Sequence, residues 1–164
     1  TSDDLHLGEI SLECSRAGAA AGALWCTLEA LPLSPTDGVG AIVAACCRAA
    51  RRWAEAVREA EGFTLYAAPQ TDIVASFPTP VEPTLSAVHD ASQRLFETAM
   101  HDPDAPIFTS PYRVPADAFT DLHPVYTADR DDVAVLRSVL MKPEHETHAP
   151  ALVEHLAAWA DNGS

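Results

Sequence analysis

The sequence predicts a small α+β domain running from Thr36 onward, preceded by one helix that belongs to a different structural body. Three observations predict it. Strand-patterned and helix-patterned stretches succeed one another after Thr36. Pro32 and Pro35 cut them off from what comes before, because proline ends a helix. The stretch before those prolines is rich in small and apolar residues, which suits a tightly packed interface better than a solvent-facing helix. With 164 residues, 48% of them hydrophobic and 21% charged, the chain is long and apolar enough to bury a core and lies far from the composition of disordered chains.

Each element follows from local pattern. From about Arg16 to Leu31 the residues Leu24, Trp25, Leu28 and Leu31 recur at three- and four-residue spacings, and Gly18, Ala19, Gly22 and Ala23 would let another backbone approach. A second helix is predicted to start after Asp37 and to reach Glu61. Ile42, Val43, Cys46, Cys47, Trp53 and Val57 form its apolar side, Arg48, Arg51, Arg52 and Arg58 its wet side, and Gly62 its stop. Two strands are expected at Phe63 to Ala67 and Asp72 to Phe77, with Pro69 and Gln70 in the turn between them. Pro78, Pro80 and Pro83 mark a loop. Ser86 to Met100 reads as a helix presenting Val88, Leu95, Phe96 and Met100 on one side. Ile107 to Val114 reads as a strand that Pro111 confines to a sheet edge. Val133 to Met141 reads as a further strand, and Pro150 to Ala160 as a closing amphipathic helix through Leu152, Val153, Leu156 and Trp159.

Charge narrows the function. Asp and Glu total 24 against 10 Lys and Arg, a formal charge of −14, so the long-range field repels nucleic acid and anionic membrane surfaces. No stretch reaches the roughly 18 apolar residues that cross a bilayer, and the acidic N-terminal segment is unlike a signal peptide. Cys14, Cys26, Cys46 and Cys47 include an adjacent pair in a helical pattern, poor geometry for a disulfide framework; buried thiols in a reducing cytosol fit better. Gly38 and Gly40 in DGVGAIVAA echo a dinucleotide fingerprint, but no strand precedes them and the third glycine is absent, so they read as a helix start. His145, His148 and His155 fit no compact zinc spacing and read as surface residues, and His101 and His123 read as loop residues. No serine sits in a strand-turn-helix elbow. Tyr112 and Arg113 read as part of an edge strand, the aromatic packed on the sheet.

Leu5 to Leu33, LHLGEISLECSRAGAAAGALWCTLEALPL, carries Ser15 and Arg16, then Gly18 in a small-residue stretch, then Trp25. This segment resembles the one that follows the cofactor-binding lysine region of group II pyridoxal-phosphate-dependent amino-acid decarboxylases. Leu136 to Glu146, LRSVLMKPEHE, resembles the late strand of that family's small domain, where an Arg and a Pro bracket an apolar run. The resemblance implies the α/β architecture of a fold-type I enzyme. Residues 1–35 would be the end of the large cofactor-binding domain with its interface helix, and residues 36–164 the C-terminal small α+β domain. It also implies that Arg16 binds a substrate carboxylate and that Ser15 lies near the cofactor or the neighbouring subunit's site. A guanidinium on a fixed strand end can hold a carboxylate bidentately, which decarboxylation needs to orient the breaking bond. From the residues alone, an ion pair of Arg16 with Glu9 or Glu13 at a domain junction is the favoured account.

Covalent binding of pyridoxal 5'-phosphate requires a lysine, and the chain's one lysine, Lys142, sits in a Met-Lys-Pro context that the resemblance places in the small domain, away from the cofactor. Its expected role is a solvated charge at a strand end. The expectation is therefore one subunit or fragment of a split, cytoplasmic lyase. Its cofactor would be bound mainly by a partner chain that carries the Schiff-base lysine, in a heterodimer or heterotetramer. The alternative is a non-catalytic regulatory or interaction module that keeps the small-domain fold.

Overall fold

The computed structural model describes residues 18–161. Ser15, Arg16 and Cys14 lie outside the described residues. The elements run α1 (Gly18–Ala30), α2 (Gly38–Glu59), β1 (Phe63–Leu65), β2 (Ile73–Pro78), α3 (Leu85–His101), β3 (Ser110–Pro115), α4 (Ala116–Leu122), β4 (Asp132–Val139) and α5 (His145–Asp161). The chain divides into two units, Thr1–Ile42 and Val43–Ser164.

In the first unit, α1 is apolar around its whole circumference and none of its residues is buried; Leu24 is 58% and Trp25 67% exposed. A helix of that composition belongs against other surfaces rather than in water. The turn after it explains the two glycines of DGVG. Gly38 has φ of 58°, and a Cβ there would come within 2.5 Å of the Pro32 backbone. A Cβ on Gly40 would overlap the Ser34 carbonyl. The Asp37 side chain accepts the Gly38 N–H at 2.8 Å, so the pair serves to start a helix.

In the second unit, α2 lays Ala45, Cys46, Ala49, Ala50, Trp53, Ala54 and Val57 inward at helical spacing, and its four arginines stay exposed. The buried stripe is one turn shorter than the apolar side the sequence predicts: it begins only at Ala45, and Ile42 and Val43 are exposed. Gly62, at φ 74°, turns the chain out of the helix and into β1.

Four antiparallel strands form one sheet in the order β1-β2-β4-β3. Pro111 and Pro115 both fall on β3, an edge, where a missing N–H costs least. That strand starts at Ser110 rather than Ile107; Ile107 instead donates its N–H to Ala99 at the end of α3 and is buried there. Alternation along the strands splits the core in two. On one face Val74, Leu136 and Leu140 pack with Ala49, Trp53 and Val57 of α2, Leu95 and Ala99 of α3, and Val153 and Leu156 of α5. On the other, Phe77, Val114, Val133 and Val135 pack with Leu85, Val88 and Phe119.

Two elements depart from the sequence expectation. Helix α4 is unforeseen: seven residues give too short a window for helical periodicity, and its one buried residue is Phe119. Helix α5 starts at His145 and carries Pro150 inside it. Pro150 has no N–H to give the Glu146 carbonyl four residues back, the bond that normally closes the turn. Arg52 of α2 supplies the donor instead, Nη1 to that carbonyl at 3.2 Å, and Arg48 grips the Glu146 carboxylate through Nε at 2.8 Å and Nη2 at 3.0 Å. A tertiary donor thus makes a mid-helix proline tolerable.

Candidate functional site

The second face of the sheet is only half covered. At one end α4 and the loop after it close over it with a group of rings: Phe119 lies with its ring centroid 5.2 Å from Phe77 and 5.7 Å from Tyr66. His123, the residue after α4, stacks among them and its Nε2 meets the Tyr66 carbonyl at 2.9 Å. Toward the other end Ile73, Tyr112 and Val139 stand exposed, at 42%, 46% and 38%. Strand register puts Arg137 among them, opposite Ala75 on β2 and Ser110 on β3. Both neighbours are small, so nothing tall flanks the guanidinium across either strand.

Arg137 is half-buried and has no carboxylate partner among the described residues. Its Nη2 reaches only the Ser110 hydroxyl, at 3.5 Å, and its Nε is buried without a partner. The hydroxyl of Thr109, the residue before Ser110, is also buried, with no partner among the described residues. Four other arginines are ion-paired, Arg48 and Arg52 with Glu146 and Arg113 and Arg130 with Asp132, while Arg51, Arg58, Arg94 and Lys142 are exposed to water. A cation held partly out of water without a counter-ion is costly, and in a chain with 24 acidic residues a folded structure had many ways to pair it. Guanidinium geometry matches a carboxylate, and an apolar surround strengthens that bond. Burial first, and then the neighbouring Tyr112 phenol, push the Tyr66 hydroxyl above its ordinary value, so it stays a protonated donor at neutral pH.

Arg137 lies in the LRSVLMKPEHE segment, where the sequence marks its presence but not its isolation, which depends on strand register. Lys142 is exposed in the turn after β4, its carbonyl accepting the His145 N–H at 3.0 Å. Tyr112 and Arg113 belong to an edge strand. Tyr112 is 46% exposed on the open face, and Arg113 pairs with Asp132 at 2.8 Å. His101 is the last residue of α3 rather than a loop residue, its Nδ1 at 2.8 Å from the Glu97 carbonyl. Among the described residues no group of three or more His, Cys, Asp or Glu side chains is placed to hold a metal ion, and no helix is long and apolar enough to cross a membrane. Cys26, Cys46 and Cys47 are free thiols. A hollow of about 750 Å³ beside α3 is lined by Glu82, Asp90, Glu97 and Asp129 with Arg94. Those carboxylates are all exposed to water.

No family model and no curated protein matches the chain. Among solved structures it is similar to the tryptophan decarboxylase of Catharanthus roseus, crystallised with L-tryptophan, at 15% identity and a TM-score of 0.57. The match covers 84% of this chain and 25% of the decarboxylase chain, so this sequence spans about a quarter of the length of that neighbour. At that identity the likeness is one of fold: the small α+β architecture built here recurs as part of a much larger decarboxylase chain.

Proposed function

We propose that this chain is the C-terminal part of a pyridoxal-phosphate-dependent enzyme, an amino-acid decarboxylase in the broad sense. The large domain, with the Schiff-base lysine, is supplied by a partner chain in a heterodimer or heterotetramer. The fold shared with the decarboxylase supports the class. The observation that carries the reading is Arg137: a half-buried guanidinium, with no carboxylate partner among the described residues, on the open half of a sheet face. In an enzyme whose substrate is an amino acid, such a group orients a carboxylate, and it gains strength as the closing partner excludes water.

The chain's own residues do not fit the cofactor itself. Lys142, the one amine side chain, is exposed at the end of β4, and a covalent site needs an amine sheltered beside the bound group. The role left to this chain is to wall the substrate pocket and to hold a carboxylate. Arg16 is proposed for the same duty from the N-terminal segment, with Ser15 near the cofactor. Decarboxylation over other outcomes, and a cytoplasmic location, belong to the same proposal.

The test uses the assembled complex. Replacing Arg137 with Ala should raise KM for the amino acid by about tenfold or more, with less effect on kcat, as loss of a charge-assisted bond to substrate does. Arg16→Ala should behave alike. Unchanged kinetics in both variants would remove the carboxylate role. A second reading, an interaction module without a reaction, draws on the exposed Ile73, Tyr112 and Val139 beside Arg137, which also suit a protein contact. Under it Arg137→Ala weakens partner binding, and no cofactor absorbance appears with any co-purifying chain.

A further inference from the structure

At the covered end of the second face, helix α3 is joined to strand β4 by a bond that depends on a proton. Ladder pairing between β2 and β4 ends at Ser76 and Leu136, so Ala134 lies past the last β4 residue that β2 supports. There the Ala134 backbone N–H reaches the Nδ1 of His89, one turn into α3, at 3.2 Å. A backbone N–H can only donate. Nδ1 must therefore be bare and the ring proton must sit on Nε2, which fixes His89 as a neutral imidazole. Ala134 is 1% exposed, so water cannot easily replace the ring as its acceptor.

The charges around the ring are those of a network tied at the start of β4. Arg113 of β3 holds the Asp132 carboxylate at 2.8 and 3.0 Å, and Arg130, in the loop before β4, approaches it at 3.4 Å. The groups that act on His89 are Arg130 and Arg113, both opposing a positive ring, and Asp90 and Asp132, both favouring one. Burial is the largest influence and also opposes charge, and the balance holds the ring below its ordinary value.

We propose that His89 is a pH-sensitive latch: neutral, it accepts the Ala134 N–H and fastens α3 to β4; protonated, it turns a donor toward a donor, and the start of β4 comes free of the helix. Protonation has two simultaneous effects. The buried N–H loses its acceptor, and a third cation arrives beside Arg130 and Arg113. Because the folded state disfavours the proton, the latch is fully closed above the unfolded value of about 6.5 and opens as pH falls through the lower folded value. β4 also carries Arg137, but the latch stands whether or not Arg137 binds a carboxylate.

Hydrogen exchange read by NMR on the full ¹⁵N-labelled chain tests it, from about pH 7.5 to about pH 5. The expected result is a protection factor at Ala134 that falls about tenfold or more, with its midpoint on the titration of the His89 ring, and a bare Nδ1 at the neutral end. His89→Asn places an amide oxygen where Nδ1 stands and does not titrate, so its Ala134 protection should stay level over the same range. A ring protonated on Nδ1 at neutral pH, or Ala134 protection that stays flat while His89 titrates, overturns the latch. So does an unaltered pH dependence in His89→Asn. Should that variant fail to fold, the ring tautomer and the parent chain's exchange profile decide the matter.

Discussion

The two faces of the sheet bury their residues for different ends. The first is covered along its length by three helices, and the side chains that meet across it are mostly alanines, valines and leucines, with Trp53, Phe63 and Ile107 among them; Val74 and Leu136 are 1% and 2% exposed. The second is sealed at one end by rings from α4 and its following loop, and is open at the other, where Arg137 stands beside Ile73, Tyr112 and Val139. One sheet thus carries a face made for stability and a face made half for stability and half for contact. If the division is right, substitutions at the sealed positions cost folding energy, and substitutions at the open ones cost function.

The largest effect should come from Phe119→Ala. Phe119 is fully buried, packs on Phe77, Tyr66 and Tyr126, and is the one buried residue of α4. Its loss removes both the burial and what holds α4 down. A destabilisation of about 3–5 kcal/mol is expected in urea or thermal unfolding. A loss under about 1 kcal/mol would show that α4 contributes little to the sealed end, and the comparison of faces would fail there.

Arg137→Met should separate the two kinds of burial. Methionine keeps the stem's packing and removes an unpaired charge, so folding stability should stay within about 1 kcal/mol of the parent or rise. Under the proposed function, carboxylate binding by the complex should fall at the same time. A marked destabilisation would mean the guanidinium supports the sheet itself, and the open half of the face would then be structural like the rest.

The parts of this arrangement that the residues announce are those written in repeats. The inward stripe of α2 and the buried positions of α3 follow helical spacing, and Pro111 assigns its strand to an edge before any contact is known. What is not legible depends on partners far along the chain. Pro150 reads as a helix start because nothing local shows that Arg52, 94 residues from Glu146, will serve the carbonyl that the proline abandons. Helix α4 is a single buried phenylalanine's worth of signal. The isolation of Arg137 is a matter of register: only the pairing of Ser110 and Ala75 opposite it puts small residues where a carboxylate could have been. Side-chain type was in plain view at each of these positions. The missing information was which residue stands across the strand or the helix.

The smallest effect lies on the covered side, where α2 and α5 meet through Glu146. Hydrogen bonding from Arg48 draws its carboxyl below the ordinary range, burial opposes this, and the charges of Arg48 and then Arg52 add to it. A carboxyl whose folded value is depressed contributes stability that is present above its unfolded value of about 4.3 and is lost as pH falls through the folded one. Glu146→Gln should therefore be slightly less stable than the parent at neutral pH, and the two unfolding curves should merge in acid. Because the Arg48 side chain is 51% exposed, added salt should narrow the gap at neutral pH. A gap that persists undiminished below about pH 3 would mean that glutamine is disfavoured for its shape rather than its charge. The salt bridge would then be incidental to how α5 is held, and the burden would fall on the Arg52 bond to the carbonyl freed by Pro150.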